Sequence, residues 1–260
     1  MKRNGAFNCR IRRMATIMTL ALSLSLNLAG SASGQKNAEF ELSSLHGTGI
    51  GELGDRIGRA GWGGSFYGGW LLPRTPFSLG VRLAMVNYGS EHNGNLEGYT
   101  AAAPAGVKYN YNFLLAHIVF RAQPRQSLLT PYLEVLAGIN YFFTQAYRGR
   151  SSGVPFMVGD AVFIMDQNGS STLLSSVTPS VGLGGGLKLR LARLSSGREA
   201  ARASLGLFLD FQGRYLVGGT ARYLTPGSLA LNGDQLIYDF QRSRTNLFCF
   251  SLGLSLRKSS

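Results

Sequence analysis

The sequence has few cysteines and few charged side chains. Only two of its 260 residues are cysteine, and Cys9 lies in an N-terminal segment that is expected to be removed, which leaves Cys249 alone. A single cysteine excludes an intrachain disulfide framework. Charged residues make up 15% of the chain, a low share for a soluble domain. The fold must therefore do without disulfides, and its low charge argues against an ordinary soluble protein.

Long apolar runs are missing as well, except at the N-terminus. After residue 34, no segment offers the ~18 consecutive apolar residues that a transmembrane helix requires. A membrane role would therefore depend on strands rather than on helices.

The N-terminal segment is typical of a secretory signal peptide. Basic residues from Lys2 to Arg13 precede an apolar stretch at 14–29, and small residues follow at 30–34. This order predicts a signal peptide at 1–34, cleaved to leave Gln35 as the new N-terminus. Residues 35–260 would then form a single exported domain.

Acidic residues are scarce, with 13 against 26 basic ones. Five of the basic residues belong to the signal peptide, so the formal charge falls from +13 to +8 when it is removed. The remaining arginines and lysines are spread over turns and strands, without a basic helix or an aromatic-basic patch. We therefore expect no nucleic acid partner.

Alternation of apolar with small or polar residues is the main feature that is present. It is clearest at 180–192, 203–215 and 247–257, and a period of two is typical of β-strands. The run at 106–121 loses its phase between Phe113 and Leu115, which predicts a β-bulge there. Including that run, five further runs complete the series, at 37–47, 60–72, 77–88, 106–121 and 131–147.

The connections between these runs alternate in length. Bacterial single-chain membrane barrels have an even number of strands, short periplasmic turns and long extracellular loops. The short connections here are 73–76, 122–130 and 193–202, and the long ones are 48–59, 89–105, 148–177 and 216–245. The sequence therefore predicts an all-β fold: an eight-stranded antiparallel up-and-down transmembrane β-barrel in the bacterial outer membrane.

The apolar face of these strands is predicted to meet lipid. The opposite face is rich in glycine and serine, which suits a narrow barrel interior. Aromatic residues near the strand ends are expected to form a girdle at the membrane interface. The predicted girdle comprises Trp62, Trp70, Phe77, Tyr88, Tyr132, Tyr141, Phe142, Phe143, Tyr147 and Tyr215.

Charged side chains on the inward face form the candidate site. Isolated buried charges are costly, so we expect them to pair across the lumen, with Glu134 and Asp210 neutralising some of the bases. The expected role is a structural plug, because eight strands leave little more than room for side chains. The predicted interior network comprises Arg82, Glu134, Lys188, Arg190, Asp210 and Arg214.

Two segments carry a resemblance to a known group. The hairpin GWGGSFYGGWLLPRTPFSLGVRL at 61–83 and the strand SVGLGGGLKLRL at 180–191 follow a signal that ends before Gln35. Together they resemble outer-membrane β-barrel domain proteins of the Bacteroidota type, described as PorT-like or OmpA-type small barrels. The resemblance covers residues ~37–258 and implies an outer-membrane barrel. Many members of such families have no assigned activity.

No catalytic, cofactor or metal site is predicted. His117 lies in the middle of a run and could meet Glu134 on the neighbouring strand, but no nucleophile is evident. No cluster of histidine, cysteine and aspartate has the spacing of metal ligands.

Three functions remain open. The favoured one is a non-enzymatic barrel with a structural or loop-mediated binding role, in which the loops at 148–177 and 216–245 recognise a partner. The second is a component of an envelope secretion or assembly apparatus, bound to an acidic protein through a basic periplasmic rim. The third is a lipid-modifying enzyme centred on His117. The rim residues are Arg74, Arg121, Arg125, Arg193, Arg198, Arg202, Arg257 and Lys258. The expected partners are outer-membrane lipid and, in the second case, an envelope protein.

Overall fold

The fold was determined from a computed structural model. It describes residues 37–93, 107–124, 127–148, 156–158, 161–163, 170–194, 204–232 and 235–259. The predicted signal peptide at 1–34 lies outside the described residues. Among the described residues, no helix is long and apolar enough to span a bilayer.

Eight long strands close into an antiparallel barrel. Around the barrel, the order is β1-β14-β9-β8-β5-β4-β3-β2, so each long strand pairs with its neighbours in the chain and the first strand closes on the last. The long strands are β1 Ala38–Gly49, β2 Gly61–Leu71, β3 Phe77–Asn93, β4 Val107–Ala122, β5 Leu129–Arg148, β8 Ser170–Leu194, β9 Ser204–Gly218 and β14 Leu247–Ser259. The predicted eight-stranded up-and-down barrel is confirmed, including a first strand at the position expected from 37–47.

Short elements occupy the connections at one end of the barrel. A six-residue helix, α1 Glu52–Ile57, lies between β1 and β2, inside a segment predicted to be a plain loop. Two-stranded sheets form from β6 Phe156–Val158 with β7 Ala161–Phe163, from β10 Thr220–Tyr223 with β13 Gln241–Arg244, and from β11 Leu229–Asn232 with β12 Gln235–Tyr238. We call this the long-connection end. The opposite end, where β2 meets β3, β4 meets β5 and β8 meets β9, is the short-turn end.

The structure moves the predicted bulge from β4 to β3. The register between β3 and β4 shifts between Asn87 and Gly89, whereas β4 continues without interruption through Phe113 and Leu115. The prediction failed because it assumed that a large apolar residue must face outward. Phe113 and Leu115 are both buried in the lumen, so the strand never loses its phase.

Candidate functional site: the lumen and the crown hairpin

The outer wall of the barrel is a continuous apolar surface. Along β3, the outward side chains from Phe77 to Met85 are all exposed and apolar. They span about 26 Å along the strand, or roughly 20 Å along the barrel axis at a tilt of about 40°. The other long strands contribute outward residues such as Ile118, Leu133, Val181, Leu183, Phe211, Phe250 and Leu252. We call this surface the apolar belt.

Aromatic residues occur at both edges of the apolar belt, but fewer than predicted. Trp62 and Tyr215 are exposed near the long-connection end, and Trp70 and Phe77 near the short-turn end. Tyr141 and Phe143 face outward and are half-buried. Three predicted girdle residues are instead buried in the lumen: Tyr88, Tyr132 and Phe142. The side chain of Tyr147 lies outside the described residues.

The half of the lumen nearer the short-turn end holds an ionic layer. Four carboxylates and five bases meet there, and all nine side chains are buried: Glu39, Glu41, Glu134, Asp210, Arg82, Arg121, Lys188, Arg214 and Arg257. Five of the six residues predicted for the interior network are among them. The exception is Arg190, which is half-buried beside Phe208 and pairs with no described carboxylate.

Glu39 is the centre of the ionic layer. Its Oε1 lies 2.8 Å from Arg121 Nη1, and its Oε2 lies 2.9 Å from Arg257 Nε. Lys188 Nζ also contacts Glu39 Oε1. A single carboxylate thus compensates three cations supplied by three other strands. Such a pair is costly to break inside a protein, because the remaining charge stays buried and unpaired.

Arg121 joins the remaining carboxylates. Its Nη2 lies 2.9 Å from Glu134 Oε2 and 3.3 Å from Glu41 Oε2. Its guanidinium carbon lies 4.3 Å from the ring centre of Tyr67 and 4.2 Å from that of Tyr132. Arg82 binds Glu41 at 2.8 Å between Nη1 and Oε1. These contacts bind the strands of the barrel to one another across the lumen.

Several contributors to the ionic layer were misassigned or missed in the sequence. Glu39 and Glu41 alternate with apolar residues in β1 and could have been found from that weak alternation. Arg121 and Arg257 were assigned to the basic rim, but both are buried and ion-paired. Each lies one or two residues from its strand end, so a long side chain can turn back into the lumen. The basic rim is correspondingly weaker than predicted, and Arg125, Arg198 and Arg202 lie outside the described residues.

Inward-facing glycines make room for the ionic layer. A Cβ atom at Gly184 would lie 2.6 Å from Arg214 Cγ and 3.1 Å from Glu134 Cγ. One at Gly186 would lie 2.5 Å from the hydroxyl of Tyr132, which hydrogen-bonds Asp210 Oδ1 at 2.8 Å. The glycine run of β8 is therefore needed because bulky side chains from β5 and β9 lie across it.

The half of the lumen nearer the long-connection end holds an aromatic layer instead. It comprises Tyr88, Tyr111, Phe113, Phe142 and Tyr223, joined by ring contacts with centroids 5.6 to 6.0 Å apart. Tyr223 belongs to β10, so the connection after β9 folds back over the barrel mouth. Leu224 and Leu247 are buried beside this layer. Within the described residues, the lumen is thus filled with side chains from one end to the other.

His117 lies between the two layers and has an unexpected partner. Its Nε2 is 3.2 Å from Ser180 Oγ on β8. A hydroxyl beside an imidazole is the minimum equipment for nucleophilic catalysis, and no local pattern indicates it because the two residues are 63 positions apart. Both side chains are 3% exposed, and they face the lumen rather than the apolar belt. A lipid substrate has no path to them in this arrangement, so the pair acts as a lumen hydrogen bond.

A basic hairpin covers the aromatic layer. In the pairing of β10 with β13, Thr220 lies opposite Arg244 and Arg222 lies opposite Arg242. Ala221, Tyr223 and Ser243 point to the barrel and are buried, while the three arginines on the other face are exposed. Burial raises the pKa of Tyr223, whose hydroxyl lies 2.7 Å from Ser243 Oγ. We call β10 and β13 the crown hairpin.

No group of histidine, cysteine, aspartate and glutamate side chains among the described residues is arranged to hold a metal ion. Cys249 is buried in the lumen as a free thiol.

Comparisons with known proteins find similar folds but no family. No protein-family model matches the chain, and no curated protein matches it. Neisserial surface protein A is similar in structure, with a TM-score of 0.38 and 12% identity over 85% of this chain and 95% of that one. The attachment invasion locus protein Ail of Yersinia pestis, solved with the heparin analogue sucrose octasulfate, has a TM-score of 0.34 and 12% identity over 85% and 96%. A major outer membrane protein of Thermus thermophilus has a TM-score of 0.28 and 11% identity over 85% and 99%. What this chain does must follow from its own residues.

Proposed function

We propose that this chain is an integral protein of the bacterial outer membrane. It is a closed, non-enzymatic barrel that presents a recognition surface at its long-connection end. Residues 1–34 direct export and are cleaved. The strand termini Ala38 and Ser259 lie at the short-turn end, which is then periplasmic. Its relation to barrels of the Bacteroidota type stays a prediction.

The single observation that carries the proposal is the inversion of polarity between wall and lumen. Large apolar side chains are exposed on the outside, while nine charged side chains are buried inside. Burying charge while exposing leucine would be unfavourable for a protein surrounded by water. It is favourable in a bilayer, where the wall meets hydrocarbon and the closed ladder satisfies every backbone group of the wall.

The filled lumen supports recognition rather than transport. The ionic layer and the aromatic layer each block the barrel, and an eight-stranded barrel has little free interior. The elements that reach beyond the wall, α1 and the short sheets, all lie at the long-connection end. A rigid barrel that carries its irregular segments at one end is suited to present them to a partner.

The membrane assignment can be tested with two arginine substitutions of equal exposure. Leu183 lies midway along the apolar face of β8 and Leu128 lies in the short connection before β5, and each is 66% exposed. Arginine at the bilayer midplane costs about 2–4 kcal/mol and almost nothing near the interface. We therefore expect Leu183→Arg to impair assembly and Leu128→Arg to leave it intact. The readout is the fraction of protein in the outer-membrane pellet that migrates faster on gels when it is not heated.

Equal behaviour of the two variants would contradict the proposal, because water treats both sites alike. Purification of the unaltered mature chain as a soluble species without detergent would contradict it directly. N-terminal sequencing of the membrane form tests cleavage separately, with Gln35 as the expected first residue.

A further inference from the structure

The crown hairpin carries a concentration of positive charge that the barrel does not neutralise. Arg222, Arg242 and Arg244 lie on one exposed face of a ladder of only eight residues. Arg222 and Arg242 are direct cross-strand partners, and like charges in such positions destabilise a hairpin. Neither strand of the hairpin contains a carboxylate.

The neighbouring acidic side chains leave these guanidinium groups uncompensated. All ion pairs between described residues lie in the lumen. Glu52 accepts a hydrogen bond from the backbone N–H of Arg244 at 3.3 Å, and Asp239 accepts one from Gln241 Nε2 at 3.3 Å. Asp55 is exposed on α1. A nearby Arg56 adds further positive charge, since its Nη1 donates to the side chain of Gln241.

The arginines face away from the membrane. Side chains alternate across a strand, and the opposite face of the crown hairpin rests on the barrel mouth, with Tyr223 5.7 Å from Phe142 between ring centroids. The guanidinium groups therefore point into the aqueous phase outside the barrel. This direction favours a ligand that approaches from solution over the headgroups of the surrounding bilayer.

The geometry points to an anionic polysaccharide as the ligand. Guanidinium groups bind sulfate and phosphate oxygens through paired hydrogen bonds, and cross-strand partners have Cβ atoms about 5 Å apart, close enough to share one such group. Phe240 lies under Arg222, 5.2 Å from its guanidinium carbon, and its ring is 46% exposed. That ring offers a flat apolar surface on which a sugar can lie. We propose that the crown hairpin binds a sulfated or phosphorylated glycan, and this inference rests on the proposed function because it needs the hairpin at the outer surface.

The test compares two triple variants of equal net charge in detergent micelles. One is Arg222→Gln/Arg242→Gln/Arg244→Gln. The control is Arg74→Gln/Lys108→Gln/Arg193→Gln, which removes three exposed charges elsewhere. The probes are dextran sulfate, uncharged dextran, an acidic polypeptide and vesicles that contain anionic lipid. Faster migration of the unheated protein on gels shows in each case that the barrel is folded.

We expect the unaltered protein to bind dextran sulfate in a salt-dependent way and not to bind dextran. The crown variant should bind at least about tenfold more weakly, since it lacks three charge-assisted contacts, while the control variant retains its affinity. An equal loss in both variants would mean that only net charge matters, and that result overturns the proposal. Binding to the polypeptide or the vesicles without binding to dextran sulfate overturns it as well. None of these outcomes depends on the membrane test with Leu183, so the two proposals fail separately.

Discussion

The two halves of the lumen close the same barrel by different means. The ionic layer uses nine charged side chains that need specific partners, and the aromatic layer uses rings that need only volume and contact. Charged pairs in a buried setting tolerate loss of a partner poorly, whereas an apolar cluster loses contacts in proportion to what is removed. The ionic half should therefore be the more sensitive to small chemical changes.

Removal of Glu39 should have the largest effect. Glu39→Ala leaves Arg121, Lys188 and Arg257 without their common carboxylate, and we expect a loss of about 3–5 kcal/mol in the free energy of unfolding. The measurement is a urea titration in lipid vesicles, followed by the shift between folded and unfolded bands on gels. Asp55→Ala, which removes an exposed carboxylate, serves as control and should be neutral. A neutral Glu39→Ala would mean that the ionic layer does not stabilise the barrel.

Truncation in the aromatic layer should cost slightly less. Phe142→Ala removes the ring that joins Phe113 to Tyr223, and we expect about 3 kcal/mol from lost burial and the cavity left behind. Planar-bilayer recordings of the same variant should show no added conductance, since the ionic layer still blocks the lumen. Stable channels in this variant would show that the aromatic layer alone closes the barrel.

A methyl group in the glycine run should have the smallest effect of the three. Gly184→Ala places a Cβ against Arg214 and Glu134, and overpacking of this kind costs about 1–3 kcal/mol. Gly213→Ala on the adjacent β9 is the matched control, because a Cβ there meets only Phe248, at 3.7 Å. The same urea titration measures both. Equal stability of the two variants would show that the glycine run is not required to accommodate the ionic layer.

The same contrast explains what could be predicted from the sequence. Alternation predicted all eight strands and placed Arg82, Lys188, Asp210 and Arg214 on the inward face, because in the ionic half polar means inward and apolar means outward. In the aromatic half this equivalence fails. Tyr88 and Phe142 were assigned to the membrane girdle, and Phe113 suggested a bulge, because apolar side chains there occupy both faces of the wall.

Pairings between distant strands lay beyond a single sequence. Nothing local distinguishes Glu39 from a solvated acid, or Arg121 and Arg257 from rim charges. Their roles follow from the shear of the barrel, which brings residues 82 and 218 positions apart into contact with Glu39. The hydrogen bond between His117 and Ser180 arises in the same way. The crown hairpin was contained in a predicted recognition loop, but its strand pairing was not foreseen.

The seam between β1 and β14 has a consequence for assembly. Glu39 lies on the first strand directly opposite Arg257 on the last, and its other two cations come from β4 and β8. While the sheet is still open along this seam, these cations lack their counter-ion and must stay hydrated. Neutralising them and drying the interior are thus one event with the meeting of the chain's two ends. A partly inserted barrel is penalised until its last pair of strands has zipped.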